Sequence, residues 1–378
     1  MEITPPVVYN KMQAQKWSRD KVCLYTVYLE RSCGMKALLM EEYKKLNFTD
    51  FPDPKIEDSR DMLVRIRAAA ICGSDVHGFD GSTGRRRPPI VMGHEAAGEI
   101  VETGSAVKAF KKGGRITFDS TIFCGECFYC LNGMMNLCDN RKVLGVSCGE
   151  YRRHGAFAEY LVIPDRIAVP LPAGLSYEEA ACTEPAAVAA HAVRLTPIAL
   201  NDSVAVVGSG LIGNLTIQLL RACVSGKIIA LDTEASRREV AMSFGADAAF
   251  DPADNDLDKK IKELTHGRGV DRVFEVVGVT EAIKTAVSIV RKGGSITLVG
   301  NARPNVEIPL QAVVSRQISL QGSCAICGEY EMTLDLMARG KVNVKALLSA
   351  TAPLSEGNEW MNKLYNREGN LLKVVLIP

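Results

Sequence analysis

Hydrophobic and polar positions change rhythm once along this chain. Up to about residue 169, apolar and polar residues alternate in short runs broken by glycine and proline. Residues 62–67, 97–102 and 156–163 carry that two-residue period, and residues 35–38 read as a first strand. Short strands at such spacing predict a small, barrel-like all-β unit. From about Ser176 the pattern becomes apolar strand, helical stretch, apolar strand. Strands are predicted at 203–207, 227–231, 271–277 and 295–299. That alternation predicts an α/β unit with a doubly wound parallel sheet. After Leu320 the regularity fades to one helix, 330–338, and one closing strand, 372–377.

The densest signal lies where the first α/β strand ends. The apolar run Val204-Ala-Val-Val207 passes into Gly208, Gly210 and Gly213, and then Ile212, Leu215, Leu219 and Ala222 recur at helical spacing. Glycines between a strand and a helix serve a dinucleotide. The first makes a tight turn, the second admits the pyrophosphate, and the third lets helix and strand pack closely. The helix N-terminus offers free N–H groups to the phosphates. A second strand ends at Asp232, where an acid binds the adenosine ribose diol. The competing reading, a glycine-rich turn without a ligand, does not account for the strand, helix and acid together.

Of the 378 residues, 47% are hydrophobic and 24% charged, with a net charge of +1. No electrostatic footprint for nucleic acid or an anionic membrane is present, and no apolar run reaches the roughly 18 residues of a spanning helix. Twelve cysteines are many, and four crowd one loop. That clustering favours metal thiolates in a reducing, cytoplasmic setting over a disulfide framework. Residues 1–34 differ from the rest and read as an N-terminal extension or a start codon placed upstream. A signal peptide remains open on the apolar patch at 22–29 with Lys21 before it.

Cys124-x-x-Cys127-x-x-Cys130, with Cys138 seven residues on, lets tight turns present four sulfurs to one ion. Four thiolates make a closed, structural zinc site. An iron–sulfur cluster is the rival, but the fourth cysteine is not spaced as in the bacterial ferredoxin run. A zinc ribbon for nucleic acid would need surrounding positive charge. A second constellation joins Cys72 to His94 and Glu95, with Glu184 where the β region hands over to the α/β region. Three protein ligands and an exchangeable position describe a catalytic zinc.

From about Met35 to Pro378 the chain resembles the zinc-dependent medium-chain dehydrogenases, the superfamily of alcohol, polyol and threonine dehydrogenases. The resemblance rests on Cys72-Gly-Ser-Asp-x-His77, Gly93-His-Glu95, the four-cysteine loop, Gly155-Ala-Phe-Ala-Glu-Tyr160, Glu184-Pro185 and the Gly208–Gly213 motif with Asp232. It implies a GroES-like β-barrel catalytic domain, residues 35–182 completed by 323–378, and a Rossmann domain at 183–322. It implies zinc on Cys72, His94 and Glu95, with Glu184 as ligand or acting through water, and a structural zinc on Cys124, Cys127, Cys130 and Cys138. NAD would rest on Gly208, Gly210, Leu211, Ile212, Gly213, Asp232, Arg237, Val277, Val299, Gly300 and Asn301. The reaction implied is oxidation of a secondary hydroxyl of a polyol or sugar alcohol. Ser74 takes the hydroxyl proton, His77 passes it to solvent, and hydride goes to the nicotinamide. Asp232 implies NAD over NADP; Arg237 and Arg238 leave room for the latter. The family's oligomers imply a homodimer or homotetramer.

Departures are visible. Gly113-Gly-Arg-Ile116 lacks an acid the family carries in that turn, and Ala325 and Ile326 stand where sorbitol dehydrogenases carry an arginine–tyrosine pair. Arg85-Arg-Arg87 reads as a solvated charged face, with contact to an acidic or phosphorylated substrate as the sharper alternative. Threonine or amino-alcohol oxidation, and a non-catalytic nucleotide-binding role, stay open as functions.

Overall fold

The computed structural model describes residues 34–148, 151–223 and 226–378. The extension expected at 1–34 lies, apart from Gly34, outside the described residues.

The chain from Gly34 to Pro378 forms one compact unit built on two principal sheets. The first has seven strands, in the order Ala168–Pro170, Arg115–Phe118, Glu95–Thr103, Asp61–Ala70, Lys373–Ile377, Leu348–Pro353, with Tyr160–Pro164 also on Asp61–Ala70. Its core holds Met62, Val64, Ile66, Ile100, Ile116 and Phe118 on alternating positions, all at most 1% exposed. This alternation is the one legible in the sequence. The Tyr160–Pro164 strand is shorter than the predicted 156–163. Ala156 and Phe157 instead donate to Gly93 and Met92 carbonyls, and Glu159 to Lys36. Ala156 and Phe157 thus buttress the Gly93 turn, Ala158 and Glu159 meet the first strand, and the ladder with Asp61–Ala70 starts at Tyr160.

The second sheet has six parallel strands in the order Ala248–Phe250, Ile228–Leu231, Val204–Val207, Val270–Glu275, Val290–Leu298, Ser319–Gly322. Numbered along the chain this is 3-2-1-4-5-6, the doubly wound dinucleotide-binding arrangement. Its central strands are buried on both faces, which is why they read as unbroken apolar runs. Ala248–Phe250 and Ser319–Gly322 were not foreseen: both are short edge strands without a distinct period. Helix Tyr330–Ala338 matches its prediction, and helix Gly357–Tyr365 was missed.

The last strand, Lys373–Ile377, is parallel to Leu348–Pro353 and antiparallel to Asp61–Ala70. It therefore returns the end of the chain to the first sheet. Helix Thr183–Leu195 bridges the two sheets: its Ala186, Ala189 and Ala190 share a buried cluster with Ala68 and Ala70 of the first and with Leu215 and Leu219 beside the second.

Candidate active site

Register assembles the first cluster. Glu95 pairs with Ala70 across the sheet, so Cys72 and His94, just beyond those residues, emerge side by side. Cys72 caps helix Gly73–Gly78. Its sulfur accepts from the Ser74 N–H at 3.3 Å, and the Cys72 N–H donates to the Asp75 carboxylate at 3.4 Å. Gly93 has φ +91°, and a Cβ there would lie 2.6 Å from the Phe157 ring. Glycine at this place lets the chain turn tightly enough to deliver His94. The Cys72 sulfur, a His94 ring nitrogen and a Glu95 oxygen all lie within 4.8 Å of one another. One cation fits among them. Glu184 does not join this group.

The supporting groups are internal. Asp75, fully buried, faces His94 Nδ1 at 3.4 Å and receives Arg86 Nε at 3.0 Å and Nη2 at 2.8 Å. Burial opposes its charge, but His94 and Arg86 outweigh burial and hold its carboxyl well below the usual range. Burial likewise opposes a charged His94, while Asp75 and Cys72 hold that imidazole well above its ordinary value. Glu95 is 0% exposed; its Oε2 accepts from Lys373 Nζ at 2.5 Å, and its Oε1 has no partner. Lys373 is 1% exposed and also donates to the Ile71 carbonyl at 3.0 Å. A buried carboxylate oxygen without a donor, beside a thiol and an imidazole, is an orphan that a cation would satisfy.

Ser74 is exposed. Its hydroxyl lies 3.2 Å from Cys72 Sγ, 3.3 Å from His94 Nε2 and 3.0 Å from Arg86 Nη2. None of its described hydrogen bonds goes to His77. Burial, then Arg367 and Arg303, pull the His77 imidazole below its ordinary value against Asp80. Glu184 occupies the first turn of helix Thr183–Leu195; desolvation pushes its carboxyl up to about 8, with Glu95 adding to the rise and His94 and Lys373 opposing it. Desolvation similarly raises Asp119 to about 6. Ala325 and Ile326 present no polar side chain; Ile326 is buried against Ala187 and Tyr330.

The glycine motif behaves as the spacing requires. Gly208 has φ +99°, and a Cβ on Gly213 would sit 1.9 Å from the Gly208 carbonyl oxygen. Nothing within 4 Å would meet a Cβ on Gly210, so its backbone faces open space. Leu211 and Ile212 begin the following helix. Asp232 ends its strand 7% exposed; one carboxylate oxygen accepts from the Ser209 N–H at 2.8 Å and the other from the Glu234 N–H at 2.9 Å. Arg237 Nη1 stands 3.9 Å from it, while Arg238 turns back onto the carbonyls of Asp232 and Thr233. Val277 packs on Gly208, and Gly278 lies so close to Gly300 and Asn301 that a Cβ would fall 2.4 Å from the Asn301 nitrogen. Glu275 pins this loop, accepting from the Val277 and Gly278 N–H groups at 2.8 Å each, while its carbonyl receives Val299 and Gly300. Replacing Gly213 by alanine should cost about 1–3 kcal/mol through overpacking and abolish NADH binding, read by urea unfolding and fluorescence titration.

Cys124, Cys127, Cys130 and Cys138 form a separate cluster, their sulfurs within 4.8 Å of one another. The Cys127 N–H points at the Cys124 sulfur at 3.4 Å and the Cys124 N–H at Cys138 Sγ at 3.3 Å. Backbone N–H groups of Glu126 and Cys127 draw the Cys124 thiol down to about 6. Four sulfurs gathered this closely suit the closed four-thiolate coordination of a structural zinc.

Sequence reasoning missed Arg86, Asp75, Lys373 and Glu275. Arg86, read as part of a solvated face, is 2% exposed. Asp75 at the third position after the Cys72 cap was the one local signal available.

A six-stranded doubly wound sheet, a β-rich unit closed by the C-terminal strand, and two clusters suited to cations define a metal-dependent, dinucleotide-binding oxidoreductase. Residues 58–173 match the alcohol dehydrogenase GroES-like domain model, and residues 212–339 the zinc-binding dehydrogenase model. The chain belongs to this family of zinc-binding alcohol dehydrogenases. It is 32% identical to D-xylulose reductase A of Aspergillus oryzae, over 88% of this chain and 94% of that one. It is also 32% identical to D-arabitol-phosphate dehydrogenase of Enterococcus avium, over the same shares. Among solved structures, a zinc-binding dehydrogenase from Sinorhizobium meliloti 1021 bound to NADP aligns with a TM-score of 0.83 and 32% identity, over 91% of this chain and 99% of that one.

Proposed function

We propose that this protein oxidises a secondary hydroxyl of a polyol or sugar alcohol to a ketone, with NAD as hydride acceptor and zinc at Cys72, His94 and Glu95. The observation that carries the reading is the convergence of those three side chains within 4.8 Å, with the Glu95 oxygen Oε1 buried and unpartnered. When bound, zinc supplies a Lewis acid that acidifies the hydroxyl, and the nicotinamide supplies the hydride acceptor. The chain's own residues do the rest. Ser74, exposed beside the cluster, takes the hydroxyl proton at Oγ while its own proton leaves to water on its exposed side. His77, whose imidazole is drawn below its ordinary value by burial, carries that proton on to solvent through water rather than by direct contact with Ser74. Glu184, outside the cluster, acts through water. Gly210 leaves the pyrophosphate free to approach the backbone. Cys124, Cys127, Cys130 and Cys138 hold a second, structural zinc.

The polyol class is supported by the relatives, which are named for a pentulose and a pentitol phosphate. Ala325 and Ile326 argue against sorbitol itself, because neither side chain hydrogen-bonds a hydroxyl. The reading divides the chain into a catalytic unit, residues 35–182 and 323–378, and a dinucleotide unit, 183–322. Self-association is supported by Leu310 and Val314, 68% and 71% exposed beside the edge strand Ser319–Gly322. A reducing, cytoplasmic setting is supported by ten unpaired cysteines among the described residues. Among those residues no helix is long and apolar enough to cross a membrane.

The test is a screen of polyols, inositols, sugar acids and amino alcohols for NADH formation, with zinc counted by mass spectrometry. Two zinc ions per chain and turnover of a polyol are expected; one zinc and no turnover of any alcohol would sink the reading. Asp232 bears on the cofactor. Its carboxylate repels a 2′-phosphate, so Asp232→Ala should lower the NAD over NADP preference by about 10-fold or more. A parent enzyme that already prefers NADP would overturn that assignment.

A further inference from the structure

We propose that Arg86 is a positioning residue, holding the Ser74 hydroxyl in the one orientation that receives the substrate proton. This rests on the role given to Ser74 above. Arg86 is 2% exposed, in the loop between helix Gly73–Gly78 and the Gly93 turn. Its Nε and Nη2 grip Asp75 Oδ1 at 3.0 and 2.8 Å, and the same Nη2 reaches Ser74 Oγ at 3.0 Å. Its stem lies over Gly78, where an added Cβ would fall 2.4 Å from Arg86 Cγ. The guanidinium is thus fixed by packing below and by a buried carboxylate beside it.

A serine hydroxyl has one proton to give and two lone pairs. Arginine can only donate, so Nη2 occupies one lone pair. Its other neighbours, Cys72 Sγ at 3.2 Å and His94 Nε2 at 3.3 Å, would be engaged by zinc, so the serine proton is directed to water on the exposed side and leaves that way as the substrate proton arrives. One lone pair stays available, and its direction is set. An otherwise free rotor becomes a preorganised acceptor. The guanidinium charge is matched by Asp75, so Arg86 contributes direction and does not serve as an anion receptor for a phosphorylated substrate. Lysine could keep the charge opposite Asp75, but a single ammonium on a flexible stem does not reproduce the planar fork.

The experiment compares Arg86→Lys in the wild-type and Ser74→Ala backgrounds, with zinc content, Tm, kcat and KM for the best polyol found. Arg86→Lys should fold and keep two zinc ions. Its kcat should fall about 10- to 100-fold with KM within about twofold. In the Ser74→Ala background the same change should alter kcat by less than about twofold, because the two residues act as a unit. If Arg86→Lys does not fold, Arg86→Gln, which leaves Asp75 opposite His94, replaces it, with the same two expectations. Wild-type kcat in the single variant, or equal losses in both backgrounds, overturns the positioning role alone. A wild-type protein that turns over no polyol overturns the functional reading beneath it.

Discussion

On the proposed ligand set, Cys72→Ser should lower kcat/KM by about 10³-fold or more and remove one of the two zinc ions expected. A metal ion contributes several kcal/mol of transition-state stabilisation, and each 1.36 kcal/mol is tenfold in rate. Serine is the informative replacement because Cys72 has two duties. It caps helix Gly73–Gly78 through the Ser74 N–H, and serine is a good cap. The helix is therefore retained while the soft thiolate is lost. The second zinc, on the four-cysteine loop, should remain, so metal counting separates local from general damage. Steady-state kinetics within tenfold of the parent, with two zinc ions still bound, would refute the assignment of Cys72 as a ligand.

Lys373→Met should destabilise the protein by about 3–5 kcal/mol, because it leaves Glu95 charged and unpaired in the interior. The pair is 1% and 0% exposed, so water cannot compensate. Burial opposes the ammonium, yet Glu95, then Cys72 and Cys182, hold its pKa above the usual value. Adding Glu95→Gln to Lys373→Met should recover part of the loss, since no isolated charge then remains. Thermal unfolding of the zinc-free single and double variants reads both effects. A single variant within about 1 kcal/mol of the parent would mean that Glu95 does not depend on this lysine. The pair holds Glu95 by Oε2 and leaves Oε1 to face the cluster, so the lysine also decides which oxygen is offered to a cation.

The parts of the site that sequence reading reached are those whose geometry is local. Gly208, Gly210 and Gly213 lie in one turn, and their constraint follows from the absence of a side chain. The four clustered cysteines fall within fifteen positions, 124–138. Cys72 and His94–Glu95 were recognised by residue type, but only the Ala70–Glu95 register explains why they meet. The parts that were missed depend on tertiary placement. Nothing local to Lys373 distinguishes it from an exposed strand lysine; its partner is 278 residues away. Arg86 sits in a run of three arginines, and only the fold turns it inward while leaving Arg85 and Arg87 exposed. The strand at 156–163 is shorter than its alternation predicts because its first residues serve the Gly93 turn and the first strand instead. The family resemblance implies that His77 passes the proton on to solvent; the described bonds of Ser74 go to Arg86, Cys72 and His94, which leaves the link to His77 to water.

The distance along the chain between Glu95 and Lys373 has a consequence for biosynthesis. The carboxylate leaves the ribosome 278 residues ahead of its ammonium partner. Segments fold in the order they emerge, so a nascent chain can form Asp61–Ala70 and Glu95–Thr103 but must keep Glu95 hydrated until the Lys373–Ile377 strand docks. A chain interrupted before that strand would carry Cys72, His94 and Glu95 without the ammonium that orders the carboxylate.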